Sequence, residues 1–230
     1  MMMMMMMMMM MMMMVMTTTT MTNAPITSEE VQSALKNVKN KKAAGSDGLI
    51  CEFFKYSDNQ LDNPLVALFN YVFSSGEYPD LWSNGIINPI HKKDSKSDPG
   101  NYRKITVMPA LGKIFDSIMN SRLSSIKDIL ELNDPLQFGF KKKHGSVDNA
   151  FILNSIIDIN NARKKSTYVC YIDLKSAFDM IIRAALMLKL RKQGVKGKFF
   201  AVLKNMFSKA KSSVKWNGVL GETFDNICGV

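Results

Sequence analysis

The stretch from Tyr168 to Asp179 constrains this chain more than any other part of its sequence. Tyr168–Ile172 is a short apolar run that fits a buried strand, and Asp173 follows it directly. A buried strand that ends in an acidic residue, with a helix start after it, presents a carboxylate on a rigid element where a hard cation such as Mg²⁺ can bind. From these residues alone two plainer interpretations stay open. Asp173 simply ends a strand, or Asp179 simply caps the next helix.

The rest of the pattern predicts a mixed α/β fold in which helices are in the majority. Thr27 and Glu30 form a capping-box pair that marks the start of a first helix. Apolar spacing predicts further helices over residues 61–73, 111–123, 147–159, 183–193 and 198–209. A short strand is predicted over residues 86–90. Asn217-Gly218, between two short β-prone segments, predicts a hairpin.

The first residues do not resemble a folded protein. Met1–Met14 is a homopolymer, and the Val, Met and Thr residues that follow have codons that differ from ATG by single bases. The tract lacks the basic region and the cleavage site of a signal peptide, and Met1–Met16 is shorter than the roughly 20 residues of a membrane span. We therefore predict that residues 1–24 are a disordered low-complexity tract outside the fold.

The basic excess of the chain is concentrated in one segment. The chain has 30 Lys and Arg residues against 20 Asp and Glu residues, a formal net charge of +10. Met180–Gly221 contains no acidic residue, and its basic residues account for the whole excess. Such a run is either a solvated helix face or a surface that binds a polyanion. The candidate nucleic-acid-binding residues are Lys189, Arg191, Lys192, Lys196 and Lys198.

The cysteines indicate a reducing environment. Cys51, Cys170 and Cys228 are odd in number, widely spaced and form no C-x-x-C pair. They fit a cytoplasmic or nuclear protein better than a secreted disulfide scaffold or a zinc site.

Several motifs in order give the chain a resemblance to the reverse transcriptase domain of non-LTR (LINE-like) retrotransposons. Tyr168–Asp179 resembles motif A of that family. Lys42–Gly48 resembles its K-A-x-G-x-D-G signature, Asn101–Thr106 its N-Y-R-P-I-S block and Gln137–Phe140 its Q-x-G-F block. Lys104 stands where the family usually has Pro. The resemblance covers about residues 30–230.

The resemblance implies a right-hand polymerase fold that works on an RNA template, a DNA primer and deoxynucleoside triphosphates. Residues 25–165 would form an N-terminal extension and the fingers, and residues 166–230 an incomplete palm. Asp173 would be the first catalytic carboxylate and, with the Leu174 carbonyl, a ligand for Mg²⁺. The residues implied to bind the nucleotide are Lys92 and Arg103 on the triphosphate, and Phe178, beside Ala177, as a steric gate against a ribose 2′-hydroxyl.

The resemblance also implies an incomplete catalytic site. Cys228-Gly229-Val230 resembles the start of motif B, and the sequence contains no Asp-Asp pair. The second and third catalytic aspartates are therefore expected to be missing, and the chain is not expected to polymerise DNA by itself. Two alternatives stay open: a non-catalytic nucleic-acid-binding module, and a translated pseudogene fragment without a stable fold.

Overall fold

Most helices and strands begin and end close to where the sequence predicts them. A computed structural model describes residues 19–57, 60–129, 136–141 and 143–229, with backbone only for 127–129. The helices are α1 (Ser28–Asn37), α2 (Cys51–Lys55), α3 (Asp62–Ser75), α4 (Asp80–Ser83), α5 (Ala110–Ile129), α6 (Ser146–Ala162), α7 (Arg183–Lys192) and α8 (Gly197–Lys209). The strands are β1 (Asn84–His91), β2 (Tyr102–Val107), β3 (Lys211–Trp216) and β4 (Val219–Asp225), and a 3-10 turn (Pro99–Asn101) precedes β2.

Local signals set the ends of the helices. The predicted capping box of α1 is confirmed: the Thr27 hydroxyl accepts from the Glu30 amide at 3.3 Å, and the Glu30 carboxylate accepts from the Thr27 amide at 3.0 Å. Gly76 follows α3 with φ 73° and Gly194 follows α7 with φ 90°. Both glycines end their helices in a left-handed conformation that strains a residue with a Cβ.

The hydrophobic core lies between α1, α3, α4, α5 and α8. Its centre is an aromatic cluster of Phe69, Tyr78, Trp82 and Phe115, whose contacting ring centroids are 5.6–5.9 Å apart in tilted and edge-to-face arrangements. Aliphatic side chains from α1 and α8 complete the core around this cluster. Because α8 comes from the far end of the sequence, this packing joins both ends of the described chain.

One acidic side chain lies at the edge of this core. The Tyr78 hydroxyl donates to the Asp116 carboxylate at 3.1 Å. Burial raises the pKa of Asp116 to about 6, although the bond from Tyr78 opposes the shift. Burial, and next the neighbouring Asp116 charge, raise the pKa of Tyr78 well above its usual range, so its hydroxyl stays protonated and can donate.

The predicted disorder of residues 1–24 is wrong for the last part of that tract. Residues 19–23 are helical, and Thr22 is buried. The buried Arg122 guanidinium donates to the carbonyls of Thr22 at 3.0 Å and Ala24 at 2.8 Å, and it also pairs with Glu30 at 2.6 Å. A buried guanidinium needs such acceptors, and the composition of the tract gives no hint of them. Residues 1–18 lie outside the described residues.

Four strands form one sheet in the order β2-β1-β3-β4. β1 pairs antiparallel with β2 and parallel with β3, and β3 and β4 form an antiparallel hairpin. Asn217 (φ 49°) and Gly218 (φ 84°) make the tight turn of that hairpin, as predicted, because both positions need a left-handed backbone. The mixed α/β fold class is therefore confirmed.

The predicted strand at Tyr168–Ile172 is not present. These residues have no regular structure, and Tyr168, Tyr171 and Ile172 are more than 80% exposed. An apolar run forms a strand only when its backbone groups find a ladder, and this run joins neither edge of the sheet. Asp179 does not cap a helix either, because α7 begins at Arg183 with Ile182 in the N-cap position.

No helix in the described part of the chain combines the length and the apolar character needed to cross a bilayer.

Candidate nucleotide and nucleic-acid binding site

The loop at Lys42–Gly48 fixes the junction between the sheet and α5. Asp47 accepts from the Ala110 amide, the first residue of α5, at 3.2 Å, and so places a carboxylate at the positive end of that helix. Gly45 lies against the Met108–Pro109 backbone, where a Cβ would come within 2.5 Å of the Pro109 nitrogen. Gly45 thus occupies a position that leaves no room for a Cβ, and Asp47 caps the first turn of α5.

The β1–β2 hairpin extends past the pairing of β1 with β3, which covers only Asn84–Ile87, whereas β1 pairs with β2 as far as His91. Its register pairs Ile90 with Arg103 and His91 with Tyr102. The Lys92 amide donates to the Asn101 carbonyl at 2.8 Å, which adds one more bond beyond the last strand pair. The loop between the strands is closed by Asp98, whose carboxylate accepts from the Gly100 amide at 2.8 Å.

The two faces of this hairpin carry different side chains. Alternation along β2 places Arg103 on one face and Tyr102 and Lys104 on the other. Lys92, Ile90 and Arg103 fall on the same side by the same rule. Arg103 is exposed, and no ion pair of its side chain is present within the described parts of the chain.

The structure does not bring a set of metal ligands together around Asp173 and Leu174. Asp173 and Leu174 lie in the exposed, irregular segment described above. Among the residues that the structure describes, no group of three His, Cys, Asp or Glu side chains could hold a metal ion. One carboxylate and one carbonyl do not make a two-metal site by themselves, so such a site needs ligands beyond these two residues.

The end of motif A contacts other predicted motifs. The Phe178 ring stands edge-to-face on Phe140 of the Q-x-G-F block, with centroids 5.6 Å apart, and half of Phe178 is exposed. Asp179 lies 3.8 Å from the Lys104 ammonium on β2. The segment after Ala177 therefore lies against the sheet face of Lys104, whereas Arg103 occupies the opposite face.

Arg183 holds the end of the described chain beside motif A. Its guanidinium donates to the carbonyls of Gly229 at 2.9 Å and Phe207 at 2.5 Å, and also to the Asn226 carbonyl. Burial lowers the pKa of Arg183, yet the carbonyls stabilise its charge. Sequence reasoning missed this role. The available signal was a cation at the first position of a helix, where the helix dipole disfavours it unless it has other partners.

The predicted basic residues lie on one part of the surface, the end of α7 and the start of α8, called here the α7–α8 surface. All five side chains, those of Lys189, Arg191, Lys192, Lys196 and Lys198, are exposed. No ion pair of the described chain involves them. The last turn of a helix favours cations, which accounts for three of them on structural grounds. Lys196 and Lys198 instead stand at the start of α8, where the dipole disfavours a cation.

Comparison with known proteins adds the family. The sequence profile of the reverse transcriptase (RNA-dependent DNA polymerase) family matches residues 90–226. That range includes β1 from Ile90, β2, motif A and the hairpin of β3 and β4, and it covers more than half of the chain.

Individual relatives agree with this match. The chain is 28% identical over 73% of its length to the RNA-directed DNA polymerase from mobile element jockey of Drosophila melanogaster. It is 25% identical over 91% of its length to the probable RNA-directed DNA polymerase from transposon X-element of the same species, and 28% identical over 76% to a Pol polyprotein from the type-1 retrotransposable element R2 of Popillia japonica. It spans 18–23% of these relatives. The chain belongs to the reverse transcriptase (RNA-dependent DNA polymerase) family, in the form carried by non-LTR retrotransposons.

Proposed function

We propose that this chain supplies the template-binding and nucleotide-binding part of an RNA-directed DNA polymerase. The observation that carries the proposal is the pairing of the end of β1 with β2, inside the family match, which presents an exposed arginine on one strand face. In this proposal residues 25–165 are the N-terminal extension and fingers, and residues 166–230 are part of the palm.

Lys92 and Arg103 bind the triphosphate of the incoming nucleotide. Their common side of the hairpin supports this role, as does the absence of any ion pair that would neutralise Arg103 within the described chain. A guanidinium can donate two parallel hydrogen bonds to phosphate oxygens, and an ammonium adds a compact positive charge. Together they would neutralise and orient the triphosphate.

Phe178 selects the sugar of the nucleotide. Because motif A lies against the Lys104 face, this role requires the nucleotide to reach from Arg103 around the β2 edge of the sheet. Its half-exposed ring is not part of the hydrophobic core, and its ring contact among the described residues is with the exposed Phe140. An aromatic ring available at the surface can exclude a 2′-hydroxyl by contact, with Ala177 leaving room beside it.

Asp173 contributes one carboxylate, and Leu174 one carbonyl, toward a divalent ion such as Mg²⁺. The described residues do not complete a set of metal ligands around these two, so no step of the reaction is assigned to Asp173 or Leu174.

The nucleic acid is bound through the α7–α8 surface. Five exposed cations that have no carboxylate partner within the described chain make a surface that a phosphate backbone neutralises. The same observation favours a second candidate function, a nucleic-acid-binding module without catalysis. The two candidates share this surface and differ in whether Asp173 takes part in chemistry.

Salt dependence of RNA binding tests the surface that both candidates need. The chain should bind single-stranded RNA, and its affinity should fall steeply with salt because the bound RNA releases counterions. One variant replaces four residues of the α7–α8 surface with Gln: Lys189, Arg191, Lys192 and Lys196. The slope of its log affinity against log salt should be smaller by about 0.7 per residue that contacts a phosphate.

A matched control replaces four lysines away from that surface with Gln: Lys36, Lys39, Lys41 and Lys55. This variant has the same net charge as the first one and should keep the slope of the wild type. Equal slopes for all three proteins would mean that the α7–α8 surface is only solvated and does not contact nucleic acid.

A further inference from the structure

A row of aromatic rings on the sheet has no assigned role. On the face opposite Arg103, His91 contacts Tyr102 with ring centroids 5.3 Å apart, and Tyr102 contacts Trp216 at 5.4 Å. Both contacts are edge-to-face. The Trp216 side chain is 49% exposed, so much of its ring meets solvent. Three strands contribute to this row through the pairing of β2, β1 and β3.

An open groove of about 410 Å³ runs along the rings of Tyr102 and Trp216. Its size falls in the range of roughly 300–1,000 Å³ that is common for ligand sites. Apolar groups dominate the lining, and two lysines stand at its rim. The lining residues are Pro89, Lys96, Ser97, Pro99, Tyr102, Lys104, Val214 and Trp216.

The groove is held in shape by the loop between β1 and β2. The Tyr102 hydroxyl donates to the Lys96 carbonyl at 2.9 Å, and the Asn101 side chain donates to the Ser95 carbonyl at 2.9 Å. These bonds keep Lys96 and Ser97 at the rim. The Tyr102 hydroxyl is thereby satisfied, so its ring can act as an apolar wall.

The charges around the groove are mainly positive. Lys96 has no ion pair within the described chain, and Lys104 is only loosely paired with Asp179 across 3.8 Å. The acidic residues nearby are engaged elsewhere: Asp94 faces Lys93 at 3.9 Å, and Asp98 accepts from the Gly100 amide. Aromatic rings flanked by one unpaired and one loosely paired lysine within the described chain suit a ligand with flat bases and a phosphate backbone.

We propose that this groove binds an unpaired stretch of the RNA template, with a base stacked on Trp216 against Tyr102 and phosphates near Lys96 and Lys104. The inference rests on the proposed function and adds to it a site for the single-stranded template. Stacking on aromatic side chains together with a positive groove is the usual way in which proteins hold single strands without reading their sequence. The site is separate from the α7–α8 surface and from Arg103.

Tryptophan fluorescence of the full chain tests the proposal. The chain has two tryptophans, and Trp82 is buried, so a stacked base quenches Trp216 selectively. A short unstructured RNA should quench the emission, whereas an abasic ribose-phosphate strand of the same length should not. Trp216→Leu keeps apolar bulk on the hairpin but removes the ring. It should lose the quenching and bind the RNA roughly 5- to 150-fold more weakly.

Tyr71→Leu is the matched control, because it removes an exposed aromatic ring from α3, away from the groove, and it should bind as the wild type does. Circular dichroism checks that each variant is folded. Tyr102→Leu provides a second test of the groove if Trp216→Leu is unfolded. Unchanged RNA affinity in a folded Trp216→Leu or Tyr102→Leu variant would overturn the groove and leave the proposed function intact. No binding of RNA by the wild type at low salt would overturn both.

Discussion

Three side chains in this chain make long-range contacts that the sequence pattern does not predict. Arg122, Arg183 and Asn23 each join segments that are distant in the sequence. Asn23 accepts from the Phe199 amide at 3.1 Å and donates to the Lys196 carbonyl at 3.2 Å, and so caps α8 from the other end of the chain. These bonds have no periodicity, because they depend on which backbone groups the fold leaves without partners. They could not be predicted from the residues themselves.

Asp116 should make the free energy of unfolding fall as pH rises, which is the opposite of the usual effect of a carboxylate. Its pKa in the folded chain is about 6, above the roughly 3.9 of an unfolded chain, so the folded state keeps the proton longer. The free energy of unfolding should therefore fall as pH rises from about 4 to 6, and the loss should persist above that range. Asp116→Asn keeps an acceptor for Tyr78 and removes the buried charge.

Urea denaturation at pH 4 and pH 7 measures this effect. Relative to wild type, Asp116→Asn should gain about 2–3 kcal/mol between the two pH values. The comparison between variants cancels the contribution of the other carboxylates. If the wild type and the variant differ in free energy of unfolding by the same amount at both pH values, Asp116 ionises normally.

At the scale of elements, apolar spacing and cap signals predict well where helices lie. They do not predict which helical side chains other elements bury. The capping box, the glycines after α3 and α7 and the Asn217-Gly218 hairpin are local signals, and the structure confirms them. α6 forms where predicted, yet it buries no side chain and leaves Phe151 mostly exposed. Tyr168–Ile172 has the composition of a strand but no ladder to join. Pairing and burial depend on the rest of the fold, which local sequence does not specify.

The segment at residues 19–24 should matter to α8 and α5. A chain that starts at residue 19 should be as stable as the full chain. One that starts at residue 25 loses the Asn23 cap and two acceptors of the buried Arg122, and its free energy of unfolding should fall by about 2–4 kcal/mol. Asn23→Ala alone should cost about 1 kcal/mol. Thermal and urea denaturation give these values. Equal stability of the two truncated chains would show that the contacts of this segment contribute nothing.

For the whole molecule, the order of motifs carries more information than any element. The sequence predicts the family, the mixed fold and the hairpin at Asn217-Gly218, and the match over residues 90–226 confirms the family. The arrangement of the site is harder to predict. Arg103 and Lys104 are neighbours that face opposite sides, and motif A lies against the side of Lys104. Strand alternation separates them, and it can be applied only once the pairing of β1 and β2 is known.

The central claim is that Asp173 and the hairpin belong to a polymerase site. Primer extension on an RNA template tests it most directly, in a chimera that joins this chain to the following segment of an active relative. Asp173→Asn should lower incorporation of deoxynucleotides by more than the roughly 10- to 100-fold that loss of an outer-shell partner costs a metal site. Asp158→Asn, which changes an exposed aspartate on α6, should extend as the parent chimera does. If the Asp173→Asn chimera extends the primer as well as its parent, Asp173 is not a catalytic carboxylate and the account is contradicted.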